Sequence, residues 1–188
     1  MPIRPIVITG NPVLHINALE VTEFNQELRD LVQDMFETMD EAPGVGLAAP
    51  QVGVSLRVFV YDWDAEEGSA QRGVVINPTI ELSDTPVGEP DWDSESEGCL
   101  SVPGERFPLK RAEQATIKGF DLDGTQVRID AEGWFARIFQ HEFDHLNGTL
   151  YVDRLAEPHK SDCAEIIAER GWGKPNLSWL PGQDKLEG

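Results

Sequence analysis

Apolar positions change their spacing several times along this chain, and each change marks an element. Over residues 22–41, Phe24, Leu28, Leu31, Met35 and Met39 recur at helical intervals with Glu, Asp and Gln between them. Pro43-Gly44 stops that helix. Residues 56–61 and 73–82 are rich in β-branched and aromatic side chains and read as strands. The acidic stretch between them, 62–68, reads as a solvated loop. More β structure is expected from 105 to 130, with Asp123-Gly124 as a hairpin turn because glycine accepts the positive φ required there. Helical spacing returns at 131–147, where Trp134, Ile138, His141 and His145 form one inward-facing stripe and Asp130 is placed to cap the first turn. A short helix near 161–170 precedes an irregular tail, about 172–188, rich in Gly, Pro and Trp. No internal repeat or linker divides these segments. The 188 residues therefore fit a single α+β domain, with antiparallel strands packed around the helix that carries the two histidines.

That helix also carries the chain's strongest chemical signal, His141-Glu142-Phe143-Asp144-His145. Imidazoles at i and i+4 lie one above the other, so both can grip a single ion. Glu142 then projects toward the ion's open side, where it can take a proton from water whose pKa the ion has lowered to about 7. Asp144 faces the other way, where an ion pair with Arg111 would fix the helix in place; a solvated surface Asp accounts for it equally well. Two protein ligands do not make a site, so a third is needed. Glu165 lies 20 residues past His145, the offset at which thermolysin-type metalloproteases supply a Glu ligand. Cys99, in Glu97-Gly98-Cys99-Leu100-Ser101, offers a thiolate instead, although a lone cysteine is more often a small buried hydrophobe. A non-enzymatic alternative joins Cys99, Cys163, His141 and His145 in a structural zinc site. Its 42-residue gap from Cys99 to His141 is far from compact finger patterns.

Gly44-Val45-Gly46-Leu47-Ala48-Ala49 formally fits the dinucleotide fingerprint G-x-G-x-x-A. That fingerprint needs a strand before it and a helix after it. Here the order is reversed, so the fit is rejected.

Composition narrows the partners. Fifteen Lys+Arg against 34 Asp+Glu give a net charge of −19, which repels nucleic-acid backbones and anionic membranes alike. No apolar run approaches the roughly 18 residues that a membrane helix needs. The first residues, Met1-Pro2-Ile3-Arg4-Pro5, lack a secretory h-region, and two cysteines are too few for a disulfide framework. A cytoplasmic protein that binds neither membrane nor nucleic acid is expected.

Three motifs, taken in order, resemble the signatures of peptide deformylases: Gly44 to Gln51, Glu97 to Ser101, and Gln140 to His145. Asn11-Pro12-Val13-Leu14 and Arg111-Ala112-Glu113 extend the likeness over residues 3 to 155. The resemblance implies removal of the formyl group from the N-terminal methionine of nascent polypeptides. It also implies one divalent ion, usually Fe2+, with Zn2+, Ni2+ or Co2+ able to replace it. Carried over residue by residue, Cys99, His141 and His145 would be ligands and Glu142 the acid/base. Gln51 and the Leu100 N–H would meet the charge that develops on the carbonyl oxygen. Val45, Gly46 and Gly98 would offer main-chain groups to an extended peptide, while Trp134, Arg137 and Ile138 would line the methionine pocket, core packing being an equally good account of Trp134 and Ile138. Two departures stand out. Some family members dock on the ribosome through a basic C-terminal helix, whereas this tail holds only Lys174 and Lys185. The stretch 62–72 is longer and more acidic than the family minimum.

Overall fold

In the computed structural model, which describes residues 3–65 and 69–186, everything is arranged about one buried helix. The chain opens with β1 (Ile6–Val7), a 3-10 turn at Pro12–His15 and α1 (Gln26–Glu41). β2 (Gly46–Ala48) and a second turn, Ala49–Val52, lead into the hairpin of β3 (Val58–Ala65) and β4 (Ser69–Leu82). A four-residue helix, α2 (Trp92–Glu95), precedes β5 (Ser96–Cys99), β6 (Val102–Pro108), β7 (Gln114–Phe120) and β8 (Gln126–Glu132). The buried helix, α3 (Gly133–Leu146), follows, then α4 (His159–Glu169) and β9 (Ser178–Trp179). Five strands form an antiparallel sheet in the order β2-β3-β4-β7-β8; β5 pairs with β6, and β1 with β9.

The α+β expectation holds, but several boundaries move for physical reasons. Helix α1 begins at Gln26 rather than 22, because Asn25 accepts a hydrogen bond from the Leu28 N–H and caps it there. Asp130 does not cap α3. It lies in β8, bonded to Thr116 Oγ1 and Arg128, and the ladder with β7 runs on to Glu132. Gly133, with φ +56, then turns the chain into the helix, a conformation that favours glycine. The stretch 62–68 is mostly strand rather than loop: β3 reaches Ala65, β4 starts at Ser69, and only 66–68 fall outside the described residues. Of its acids, Asp62 pairs with Arg72, which also pairs with Asp40 and lies over the Phe36 ring of α1. The tail is not wholly irregular either, because β9 returns to pair with β1 and buries Trp179. Asp123-Gly124 does turn β7 into β8, with Gly124 at φ +73.

Helix α3 is held on two sides. Phe135 and Phe139 pack on Phe59 and Tyr61 of β3, with ring centroids 5.1–5.8 Å apart. The opposite side is polar. Gln140 donates to Ala112 O at 2.9 Å and accepts from Ala112 N at 3.0 Å. Asp144 pairs with buried Arg111 at 2.6 Å and with Arg154. Arg111 in turn forks onto Glu97 of β5 at 3.0 and 2.9 Å. Two carboxylates and one guanidinium thus tie helix, β5 and the chain between β6 and β7 together. No helix among the described residues is long and apolar enough to cross a membrane.

Removing one member of such a network strands its partners as buried charges, which costs more than the pair itself contributes. Arg111→Met should therefore destabilise the protein by about 3–5 kcal/mol, as read from urea unfolding. A loss under about 1 kcal/mol, the level of an exposed pair, would mean that the network is not under stress.

Candidate metal centre and active site

β5 ends in Cys99, directly beneath the last two turns of α3. Cys99 Sγ lies 3.3 Å from His145 Nε2, which lies 3.3 Å from His141 Nε2, and all three donor atoms fall within 4.8 Å of one another. A tetrahedral ion with M–N bonds of about 2.0–2.1 Å and an M–S bond of about 2.3 Å holds its ligand atoms about 3.3–3.6 Å apart. The cluster therefore fits one ion. Its chemistry fits too. A soft sulfur and two imidazoles suit a transition metal, and three protein donors leave a fourth position for water or substrate. Burial lowers the His145 pKa, which favours the neutral imidazole that a metal needs.

The next layer fixes these donors. His141 Nδ1 lies 2.7 Å from Glu97, so its Nε2 is the nitrogen left for the ion. Burial alone would raise the Glu97 pKa, but the His141 hydrogen bond and the Arg111 guanidinium outweigh it and hold the carboxyl well below the usual range. Ser101 N–H and Gln51 Nε2 approach the Cys99 sulfur at 3.4 and 3.6 Å. The Gln51 oxygen accepts from Ala48 N at 2.9 Å, which aims its NH2 into the site. Glu142, adjacent to His141, is buried with Oε2 free of any hydrogen-bond partner among the described residues. Burial pushes its pKa up to about 7. A Cβ on Gly46 would come within 2.3 Å of Glu142 Oε1, so only glycine leaves that carboxylate its place.

Every residue singled out for peptide binding lines one cavity of about 750 Å³: Val45, Gly46, Gly98, Trp134, Arg137 and Ile138, together with Gln51, Cys99, Leu100, His141 and Glu142. Two of them differ from expectation in detail. Trp134 is not inward-facing but 38% exposed at the cavity mouth, whereas Ile138 is buried. The Arg137 guanidinium, though it borders the cavity, donates to Glu97 at 3.0 Å and to Leu109 O at 2.6 Å and lies 5.2 Å from the Trp134 ring. The same cavity is walled by Trp63 and Arg106, which sequence reading did not single out. Trp63 was hidden by the loop assignment of its stretch. Arg106 carries no motif.

The two rival ligand sets come apart in space. Glu165 sits exposed on α4 and is not among the clustered donors. Cys163 is buried with Leu14, Leu150 and Leu155 in an apolar cluster that also includes Cys99, but it is not among the clustered donors, and burial pushes its thiol up to about 11. Among the described residues the group of donors that could hold a metal ion consists of Cys99, His141 and His145.

An α+β scaffold that presents a Cys/His2 donor set beside a buried carboxylate defines a metal-dependent hydrolase. Comparison sharpens the class: the family model described as polypeptide deformylase matches residues 3–161. A peptide deformylase of Mycobacterium sp. (strain JLS) is 49% identical over 191 residues, covering 98% of this chain and 97% of the relative. That of Rhodococcus opacus (strain B4) is 50% identical over 186 residues, covering 97% and 95%. The solved Legionella pneumophila peptide deformylase superposes with a TM-score of 0.78 at 37% identity, covering 90% of this chain and 96% of that one. The chain belongs to the polypeptide deformylase family.

Two outcomes follow from the geometry. Cys99→Ser should lower the metal content of purified protein while Cys163→Ser leaves it unchanged, as measured by elemental analysis; equal retention in both would remove Cys99 from the donor set. Gly46→Ala should displace the Glu142 carboxylate and lower kcat by about 10²-fold or more with the metal retained, and a kcat near the parent's would show that Glu142 has room to spare.

Proposed function

We propose that this chain removes the N-formyl group from the initiator methionine of nascent polypeptides, releasing formate. The observation that carries the reading is the free oxygen of Glu142, buried in the cavity wall beside the Cys99–His141–His145 cluster. The family supplies the substrate class. Cys99, His141 and His145 would hold one divalent ion, Fe2+ in preference to Zn2+, Ni2+ or Co2+. When bound, the ion lowers the pKa of water enough to make it a nucleophile at neutral pH.

The chain's own residues do the rest. An extended peptide lies along the free edge of β2, taking main-chain hydrogen bonds from Val45 and Gly46 on one side and Gly98 on the other. The methionine side chain enters between Trp134 and Ile138, with Arg137 fixing one wall. Glu142 takes a proton from water as oxygen attacks the formyl carbon. Negative charge then grows on the formyl oxygen, where the Leu100 N–H and Gln51 Nε2 would donate to it. As the C–N bond breaks, Glu142 passes its proton to the departing amine nitrogen, and the second water proton leaves with formic acid. A carboxyl raised toward neutrality by burial suits both transfers.

The reading also places the protein in the cytoplasm, where formylated chains emerge. Contact with the ribosome would be transient and would not use a basic C-terminal helix, since that segment carries only Lys174 and Lys185 and contributes β9 to the fold. The Ehrlichia chaffeensis peptide deformylase, 35% identical with a TM-score of 0.80, is solved in complex with actinonin; actinonin is expected to block the cavity of this chain as well.

The direct test is formate release from formyl-Met-Ala-Ser by Fe2+-loaded protein prepared without oxygen. No release at full iron occupancy would end the proposal. In air, the Fe2+ form should lose activity over hours while a Ni2+ form persists, because an open Cys/His2 site exposes both iron and thiolate to oxidation. Equal survival of both forms for days would withdraw Fe2+ as the native ion.

A further inference from the structure

The C-terminal segment lies beyond the stretch matched by the family model, yet part of it reaches the metal centre. Trp179 in β9 is 3% exposed, and its indole N–H donates to the Leu100 carbonyl at 2.8 Å. That carbonyl is one end of the Leu100–Ser101 peptide unit. The N–H at the other end of the same unit donates to Cys99 Sγ at 3.4 Å. The turn is clamped from a second side, because Thr9 N donates to Ser101 O at 2.8 Å. β1 and β9 also hold each other, through the pair Ile6↔Trp179 and through Ile8 N to Leu177 O at 3.0 Å. Both termini thus converge on three residues, Cys99, Leu100 and Ser101.

We propose that Trp179 is a positioning residue of the metal centre, acting through the Leu100–Ser101 peptide on the Cys99 sulfur and on the orientation of Leu100. The physics has two parts. A donor on a peptide oxygen polarises the whole amide, so its N–H becomes a stronger donor. A stronger N–H···S bond withdraws electron density from the thiolate and lowers its donation to a bound ion. At the same time the indole pins the Leu100 carbonyl, and so fixes the backbone of a residue that lines the cavity. Simple core packing is the competing account, since Trp179 also belongs to the apolar cluster of Ile6, Ile8 and Leu100. Packing accounts for the burial but requires no effect on the sulfur. The inference rests on the reading of Cys99 as a ligand.

The experiment compares Co2+-loaded parent protein with Trp179→Phe, which keeps an aromatic ring and removes the N–H, and with Phe24→Leu. Phe24 is a half-buried ring packed on the same cluster, without a polar atom, and calibrates plain loss of packing. In Trp179→Phe the sulfur-to-cobalt charge-transfer band should move to longer wavelength. Its kcat should fall about three- to tenfold, the effect of one ordinary hydrogen bond, with KM little changed. Phe24→Leu should lower Tm while leaving band and kcat in place. An unmoved band in Trp179→Phe, or an equal shift in Phe24→Leu, overturns the proposal and leaves Cys99 a ligand. Absence of the band from the parent overturns both readings together. Should Trp179→Phe not fold, the parent carries the test. Exchange of Zn2+ for Cd2+ should shift the Trp179 indole and Ser101 amide proton resonances together, and an unmoved indole signal overturns the proposal.

Discussion

A carboxylate removed from water must be surrounded by donors, and the buried Glu97 is the case on which this fold turns. Arg111 forks onto it, Arg137 reaches it at 3.0 Å, and His141 Nδ1 lies 2.7 Å away. These partners come from α3 and from the chain between β6 and β7, so satisfying one charge sets the position of three segments. Arg111 then extends the arrangement to Asp144 on the far side of α3. Any slip of the helix relative to β5 would break several charge-assisted hydrogen bonds at once, each stronger than a neutral one. Such a network specifies one arrangement more than it adds stability, because desolvation offsets much of its Coulomb energy.

The metal centre is the consequence of that registry. With α3 fixed by Glu97 at His141 and by Arg111 at Asp144, the i, i+4 geometry brings the second imidazole to the same point in space, and β5 brings Cys99 there. The hydrogen bond at His141 Nδ1 leaves Nε2 as the nitrogen that would face an ion. Gly46 keeps the edge strand β2 close enough for Glu142 to sit against it. On the proposed reading, water activation, proton transfer and charge stabilisation would be divided among a bound ion, Glu142 and the Leu100 and Gln51 donors; Glu142, Leu100 and Gln51 line one cavity.

Much of this was legible in the sequence, and the reasons are local. Helical periodicity exposed α1 and α3, and two histidines around a glutamate at i, i+4 have few other uses. The Asp144–Arg111 pair was one of two readings of an acid on the non-ligand face, a solvated side chain being the other, and the fold decides for the pair. Other features depended on contacts far apart in the chain. Nothing local marks Glu132 rather than Asp130 as the residue before α3, since the ladder with Gln114 decides it. Residues 62–65 looked like a solvated loop because the strand partner that orders them, and Arg72 that pairs with Asp62, lie further along the chain in β4. Arg137 was read as a pocket residue because its acceptor, Glu97, is forty positions away. β9 comprises only two residues, too short for any periodicity, and only the fold brings Trp179 to Leu100. Cys99 itself was one candidate of two from residue chemistry; the motif resemblance favoured it, and the geometry brings it to the histidines.

The central claim is that one ion sits on Cys99, His141 and His145 with a position left open. X-ray absorption at the metal edge of the anaerobically iron-loaded protein tests it most directly. The account predicts one sulfur scatterer at about 2.3 Å and nitrogen or oxygen scatterers at about 2.0–2.2 Å, two of them with the multiple-scattering pattern of imidazole. A shell without sulfur, or one with two sulfurs and no light atom beyond the imidazoles, would contradict it.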